Sequence, residues 1–138
     1  MDTSNETAAN LEFVKGLYAA FKRGDMQPQL DALTEESTWQ LYGPTDFFLC
    51  GLRTGKGQIL DFLQSLGSTL DVKSSVQTRF IADGETIMVL GFVHSQVKAT
   101  GKEFKSEYCH VLTVKDRKLL AYREFLDTAQ LLECYKPN

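Results

Sequence analysis

The stretch that decides the fold is KEFKSEYCHVLTVKDRKLLAYREFLDTAQLL, residues 102–132. Its first half alternates with a period of two, which indicates a β-strand. A tight turn at residues 115–118 and a second run at residues 119–126 predict a long antiparallel hairpin. Asp127, followed three residues later by Gln130, is a capping-box pattern, so we expect a short C-terminal helix to begin there.

One face of this hairpin carries unusual chemistry. Its even-numbered side chains include hydroxyl, imidazole and carboxylate groups: Tyr108, His110, Tyr122 and Glu124. An apolar sheet face seldom holds so many ionisable or hydroxyl groups. We therefore predict that this face forms the wall of a pocket.

The composition of the chain limits its classes of function. A length of 138 residues, with 43% hydrophobic and 24% charged residues, predicts one domain over residues 1–138. A net charge of −3 without a basic run argues against binding to nucleic acid or to an anionic membrane. No apolar stretch approaches ~20 residues and the N-terminus is polar, so we expect no membrane span and no signal peptide. The three cysteines have no metal-like spacing, and we expect reduced thiols in a cytoplasmic protein.

Three helices and three strands are predicted before the hairpin. Residues 45–54 are interpreted as an irregular apolar loop. Helices that are segregated against a mostly antiparallel sheet define an α+β domain. Long strands that cover helices on one face will curl, so we predict a cone-shaped curved sheet with helices on its concave face and a cavity. The predicted elements are helices ending at Gly24, Leu33 and Gly67, and strands at residues 37–42, from residue 70 to the Asp83-Gly84 turn, and at residues 87–97.

The order of these elements resembles that of the nuclear transport factor 2-like superfamily, and their sequences are most similar to its SnoaL-like and ketosteroid isomerase-like branch. The resemblance implies a cone-shaped α+β fold with a deep apolar pocket, usually in a homodimer that pairs through the sheet. Members include isomerases, hydrolases, dehydratases and polyketide cyclases, so the fold does not specify the chemistry. The matching segments span nearly the whole chain: FVKGLYAAFKRGD (13–25), the strand ending in Trp39, GLRTGKGQILDFLQSL (51–66), ADG (82–84) and HVLTVKDRKLLAYREFLDTAQL (110–131).

Glu124, His94 and His110 are the candidates for acid–base chemistry. Glu124 matches an inward-facing carboxylate that limonene epoxide hydrolase-like relatives carry in a similar sequence on their last strand. Desolvation in an apolar cone would raise the pKa of this carboxylate. Its alternative role is a salt bridge at a sheet edge. The two histidines are the only ones in the chain. Each could transfer a proton with Glu124, or could be a core histidine bonded to backbone or water.

The side of the sheet on which His94 lies is ambiguous. It shares its parity with Met88, Leu90 and Phe92, so it faces the pocket if those residues do. The opposite side of residues 87–97 is apolar as well. If that side faces the pocket, His94 points into a subunit contact instead.

Aromatic residues are predicted to surround the cavity. They suit a flat apolar or aromatic ligand, although any one of them could be part of the core. The adjacent Phe47 and Phe48 could also act as a lid. The set is Trp39, Tyr42, Phe47, Phe48, Phe92, Tyr108 and Tyr122.

Two familiar mechanisms do not transfer intact to this chain. The region that carries the base of ketosteroid isomerases reads Trp39-Gln40-Leu41-Tyr42, without an acid. The middle-strand arginine and aspartate of the epoxide hydrolases correspond to Phe92 and His94, and the first-strand asparagine to Leu41.

We expect no cofactor and no metal, because the sequence has neither a phosphate-binding glycine loop nor metal-ligand spacing. Asp127 is explained as a helix cap. The sequence favours a cofactor-independent acid–base enzyme of the isomerase, hydratase/dehydratase or polyketide cyclase type, acting on a small apolar or aromatic molecule. The alternative is a module for hydrophobic-ligand binding or dimerisation without catalysis.

Overall fold

The structure, a computed structural model, describes residues 3–138 and contains four helices and six strands in this range. The four helices that the sequence predicts are present, with boundaries that differ by a few residues. In chain order the elements are α1 (Thr3–Lys22), α2 (Gln27–Ala32), β1 (Thr38–Leu41), β2 (Gly51–Thr54), α3 (Lys56–Thr69), β3 (Leu70–Asp83), β4 (Thr86–Val97), β5 (Glu103–Lys115), β6 (Lys118–Leu126) and α4 (Thr128–Tyr135).

All six strands form one sheet in the order β2-β1-β6-β5-β4-β3. Only the β1–β6 pair is parallel, and the other neighbours are antiparallel. Register shifts interrupt β3 twice, between Val72 and Ser74 and between Gln77 and Arg79. Because a bulge bends a strand and increases its twist, these shifts curl the sheet around one face. The predicted α+β class with a curved, mostly antiparallel sheet is confirmed.

The β5–β6 hairpin follows its sequence pattern closely, apart from one register shift between Thr113 and Val114. Every second residue of β5 from Phe104 to Val114 is buried, as the period-two sequence pattern predicts. The turn joins Lys115 to Lys118 through two residues with positive φ, Asp116 at 51° and Arg117 at 60°. These angles belong to a type I′ turn, whose twist matches that of a two-stranded ribbon.

The helices pack on the inner face of the curved sheet. Helix α1 contacts β3 and β4, α3 contacts β2 and β3, and α4 contacts β4 and β5. Residues from these helices and from the inner sheet face form one continuous hydrophobic core. No helix in residues 3–138 has the length and apolarity needed to cross a membrane.

The prediction that residues 45–54 form an irregular loop is wrong for their last part. Gly51–Thr54 forms β2, which pairs antiparallel with β1 at the edge of the sheet. Its side chains are mostly exposed, so this short edge strand lacks the apolar alternation by which a buried strand is recognised.

Candidate active site

A cavity of about 160 Å³ lies between the inner face of the sheet and the helices. Its apolar lining comes from α1, α3, α4 and the inner face of the sheet. The rim includes exposed side chains of Phe21 and Val72. All four polar residues predicted on the hairpin face line this cavity: Tyr108, His110, Tyr122 and Glu124. The structure thus places these four side chains together on one wall of the cavity.

His110 and Glu124 form the centre of the site. They are direct cross-strand neighbours in the β5–β6 pair, so the sheet register holds them side by side. His110 Nε2 lies 3.0 Å from Glu124 Oε2, with the two side chains 9% and 17% exposed. An ionised carboxylate can only accept a hydrogen bond, so Nε2 carries the proton that His110 donates to Glu124.

Two tyrosine hydroxyls converge on the other nitrogen of the same imidazole. The hydroxyl of Tyr18, from α1, lies 2.6 Å from His110 Nδ1, and the hydroxyl of Tyr122, from β6, lies 2.7 Å from it. Burial raises the pKa of both phenols well above their ordinary value of 10.0. Both tyrosines are therefore protonated at neutral pH and act as hydrogen-bond donors.

The two tyrosine hydroxyls compete for a single acceptor nitrogen on the imidazole. With the His110 proton on Nε2, Nδ1 has one lone pair and can accept a full hydrogen bond from Tyr18 or from Tyr122. The second hydroxyl then donates to the first hydroxyl or to an oxygen atom of a ligand. A carbonyl oxygen in the cavity is the acceptor that this arrangement suits best.

Tyr108 fixes the plane of the imidazole. Its ring stacks on His110 with the centroids 4.1 Å apart and the planes at 15°. Gln77 Nε2 donates to the Tyr108 hydroxyl at 2.9 Å, and Ser75 Oγ lies 3.3 Å from it. Gly91 provides the space for this ring, because a Cβ at this position would collide with it. The stacking and the hydrogen bonds together leave His110 little rotational freedom.

Trp39 extends the aromatic wall of the site. It pairs with Tyr122 across the parallel β1–β6 contact, and its indole stacks on the Tyr122 ring at 3.7 Å between centroids. Trp39 is buried and lines the cavity, as predicted. The sheet thus supports Tyr122 from the side opposite His110.

His94 and Phe92, predicted as site residues, do not face the cavity, so the other orientation that the sequence leaves open for this strand is the one observed. Both lie on the outer face of the sheet, where Phe92 is 41% exposed and His94 Nε2 contacts Glu103 Oε1 at 2.8 Å. The inner face of β4 consists of the odd-numbered residues, among which Ile87 and Val89 are fully buried. Since both faces of this strand are apolar in sequence, its periodicity could not decide between them.

Tyr42 and Phe48 also lie outside the cavity, contrary to prediction. Tyr42 follows the end of β1 and stacks on Phe125 of the outer face, with the centroids 4.7 Å apart. Phe48 is 52% exposed and packs edge-on against Tyr135 of α4. Phe47 is buried beneath the same loop and does not line the cavity. The predicted lid of two phenylalanines is therefore a packing contact with α4.

Asp127 has the structural role that the sequence predicts. It is the N-cap of α4, and its Oδ1 accepts a hydrogen bond from the Gln130 backbone N–H at 3.1 Å. The Gln130 side chain returns a bond to Asp127 Oδ2 at 3.2 Å. Both carboxylate oxygens are thus used by the cap.

The site residue that the sequence analysis missed is Tyr18. In sequence it belongs to the apolar stripe of α1, where a tyrosine resembles any other core aromatic. Its partner His110 lies 92 residues away along the chain. The only available signal was the hydroxyl group, which needs a partner when an aromatic stripe is buried.

Solved structures with the same fold align with most of this chain. An NTF2-like protein from Burkholderia xenovorans LB400 is 28% identical, with a TM-score of 0.81 over 94% of this chain and 98% of that one. A Bacillus subtilis protein provisionally named an isomerase is 17% identical, with a TM-score of 0.78 over 98% and 96%. A Mesorhizobium loti protein provisionally named a SnoaL-like polyketide cyclase is 16% identical, with a TM-score of 0.70 over 83% and 96%. The last two likenesses show the fold alone.

A search of curated proteins finds no significant match. The profile of the SnoaL-like domain family, in contrast, matches residues 14–122, from the middle of α1 to Tyr122 of the site. This match covers most of the chain and agrees with the structural neighbours. The chain therefore belongs to the SnoaL-like domain family and has the NTF2-like, ketosteroid isomerase-like fold.

Proposed function

We propose that this protein is a cofactor-independent acid–base enzyme that moves a proton on a small apolar or aromatic carbonyl compound. The observation that carries the proposal is the chain of contacts from Glu124 through His110 to the hydroxyls of Tyr18 and Tyr122. A carboxylate, an imidazole and phenol hydroxyls within hydrogen-bond reach beside a cavity are groups that can carry out proton transfer and stabilise an oxyanion.

Glu124 is the base in this mechanism. Its Oε2 is bonded to His110, whereas Oε1 has no hydrogen-bond partner among residues 3–138. Oε1 removes a proton from the carbon next to the substrate carbonyl, and the electron pair moves onto the carbonyl oxygen. A hydroxyl of Tyr18 or Tyr122 donates a hydrogen bond to this developing oxyanion. Glu124 then returns the proton to the enolate. Return to the same carbon gives only exchange, whereas return to a different carbon of a conjugated enolate gives the isomerised product.

His110 connects the base and the acid without contacting the substrate carbon. Its Nε2–H orients the Glu124 carboxylate, while Nδ1 holds a phenol in place. When negative charge leaves Glu124 for the substrate oxygen, the imidazole is polarised toward the phenols. A residue in this position has the orienting role that is typical of a hydrogen-bonded catalytic histidine.

Exchange of carbon-bound protons in D₂O tests this proposal. The protein is incubated with 2-tetralone, an apolar aromatic ketone, and deuterium incorporation next to the carbonyl is followed by NMR. We expect Glu124→Gln to slow this exchange by about 100-fold or more. Glu103→Gln is the matched control, because it changes the glutamate that contacts His94 on the outer face and should leave the rate unchanged.

The alternative function is hydrophobic-ligand binding without chemistry, which the largely apolar lining away from the hairpin favours. Fluorescence of Trp39, the only tryptophan, reports cavity occupancy independently of catalysis. Binding of 2-tetralone with an exchange rate equal to that in buffer would establish this alternative and exclude the enzyme.

We also propose that two copies of the chain pair through the outer face of the sheet. This face exposes several large apolar side chains on β3, β4 and β6: Val76, Ile81, Phe92 and Phe125. Exposed patches of this kind mark interaction sites. Sedimentation velocity should show a dimer that Phe92→Lys converts to a monomer, while Phe48→Lys, at an exposed position outside the sheet, leaves it intact. A monomeric wild type would exclude this pairing.

A further inference from the structure

Two buried side-chain polar atoms in residues 3–138 have no hydrogen-bond partner, and both belong to the cavity lining. They are Trp39 Nε1 and Ser95 Oγ. A buried polar group without a partner destabilises a fold, so such groups are rare and call for a specific explanation. Their coincidence in one cavity indicates that a ligand provides the missing partners.

Ser95 is the more informative of the two. It lies on the inner face of β4, is fully buried, and pairs with Phe104 of β5. The other two buried serines are bonded within the protein. Ser37 Oγ donates to the Leu119 carbonyl at 2.6 Å, and Ser106 Oγ donates to the Glu107 carbonyl at 2.6 Å. Ser95 therefore differs from its counterparts in lacking any internal use for its hydroxyl.

Ser95 lies at the end of the cavity away from His110. His110 pairs with Val89 of β4, whereas Ser95 is six residues further along this strand. Six residues of extended strand measure roughly 20 Å, and the curvature of the sheet shortens this separation. The lining near Ser95 is apolar and includes Leu70, Phe104 and Leu131. The cavity thus has hydrogen-bonding groups at two separated ends.

We propose that Ser95 forms a second polar subsite, and that the ligand is a slender, mostly apolar molecule with an oxygen substituent near each end. One oxygen accepts hydrogen bonds from the tyrosine hydroxyls and from Trp39 Nε1, which lies beside Tyr122. The other oxygen bonds to Ser95 Oγ. Both oxygens are uncharged, because Glu124 lines the cavity and no described lysine or arginine does. The inference deepens the proposed function, since it names the substrate class of the same cavity.

Matched alcohols test this subsite without requiring catalysis. The probes are 1-alkanols and the corresponding α,ω-alkanediols of about six to twelve carbons, a range that samples the separation set by the strand. Affinity is measured by Trp39 fluorescence and by calorimetry. For the wild type we expect the diol to bind about tenfold more tightly than the alkanol at one chain length, which is the value of one added hydrogen bond.

Ser95→Ala should abolish this preference while leaving the affinity for the alkanols unchanged. Ser106→Ala is the matched control, because this serine is buried on the neighbouring strand but does not line the cavity, and it should retain the preference. A preference that persists in Ser95→Ala, or that is absent from the wild type, overturns the subsite. Without ligand, the Ser95→Ala variant should also unfold at the same temperature as the wild type or at a higher one. A clear decrease would mean that Ser95 is bonded internally, and would overturn the subsite too.

The result is separable from the test of the catalytic proposal. If the diol preference depends on Ser95 but 2-tetralone shows no enzyme-dependent exchange, the subsite stands and the catalytic mechanism fails. If exchange depends on Glu124 but no diol preference exists, the mechanism stands and the subsite fails. If the wild type binds neither alcohols nor 2-tetralone, the cavity does not admit apolar ligands and both proposals fail.

Discussion

Two histidine–glutamate pairs on opposite faces of one sheet have nearly the same contact distance. His110 Nε2 lies 3.0 Å from Glu124 on the inner face, and His94 Nε2 lies 2.8 Å from Glu103 on the outer face. The inner side chains are 9% and 17% exposed, and the outer ones 26% and 56%. A short imidazole–carboxylate distance therefore does not by itself identify a catalytic pair.

The surroundings distinguish the two pairs. The inner imidazole has two phenols at its second nitrogen and the ring of Tyr108 on its face. The outer pair has no such hydroxyl partners among the described contacts of His94. An enclosed carboxylate and imidazole interact in a lower dielectric than an exposed pair, and water competes less for their hydrogen bonds. The site is thus made by the enclosure as much as by the ionisable pair.

The largest difference between the two faces should be seen at high pH. Burial keeps Tyr18 and Tyr122 protonated in the folded state, whereas an unfolded chain releases both protons above pH of about 10. Because the unfolded state then binds fewer protons, the free energy of unfolding falls as the pH rises, by about 1.4 kcal/mol per pH unit for each phenol.

Urea denaturation between about pH 9 and about pH 11 measures this slope. Tyr18→Phe and Tyr122→Phe should each reduce the pH dependence of the unfolding free energy by the contribution of one proton, about 1.4 kcal/mol per pH unit. Tyr42→Phe is the control, because this tyrosine stacks on the outer face and not against His110. Equal slopes for the inner and outer variants would contradict the enclosure of the two phenols.

The inner face of the hairpin could be predicted because one period governs it. Alternation in β5 and β6 placed Tyr108, His110, Tyr122 and Glu124 on one side, and the structure puts all four in the cavity lining. The parity within each strand carries this prediction, because a register shift between Thr113 and Val114 means that the turn alone does not set which residues of the site face each other.

The rest of the site depends on packing between distant elements. The parity of β4 was undecidable because residues on both of its faces are apolar, and Gly91 was the overlooked signal: a glycine leaves room for the ring of Tyr108. Tyr18 reaches His110 only through the docking of α1 on the sheet. No pattern within α1 contains that information.

Gly91→Ala should disrupt the packing of the inner face at one residue, Tyr108. The added Cβ would collide with the Tyr108 ring and the Val76 carbonyl oxygen, and a backbone atom cannot move aside easily. We expect a loss of about 3 kcal/mol in the free energy of unfolding, as for strongly overpacked core sites. Gly67→Ala in α3 is the control with the opposite sign, because it has open space and gains helix propensity. A neutral Gly91→Ala would mean that Tyr108 is not held in place.

A double-mutant cycle compares the two histidine–glutamate pairs directly. His110→Gln, Glu124→Gln and the double variant should give a coupling of about 1.5 kcal/mol, since this is a partly enclosed hydrogen bond to a charged group. The corresponding cycle with His94→Gln and Glu103→Gln should give no resolvable coupling, because both partners are accessible to water. Equal couplings in urea denaturation would remove the physical distinction between the pairs.

The smallest effect belongs to the outer pair and appears at low pH. The hydrogen bond from His94 lowers the pKa of Glu103 below its ordinary value of 4.5. A lowered folded-state pKa stabilises the protein above the unfolded-state pKa, and this contribution is lost as the pH falls through the folded-state pKa. His94→Gln should therefore lower the urea midpoint slightly at pH 6. In strong acid the midpoints of the variant and the wild type should become equal. Because Glu103 is exposed and screened by salt, the difference should shrink further in concentrated salt. A difference that survives both acid and salt could not come from this ion pair, and would instead point to His94 in an apolar contact with a second copy of the chain.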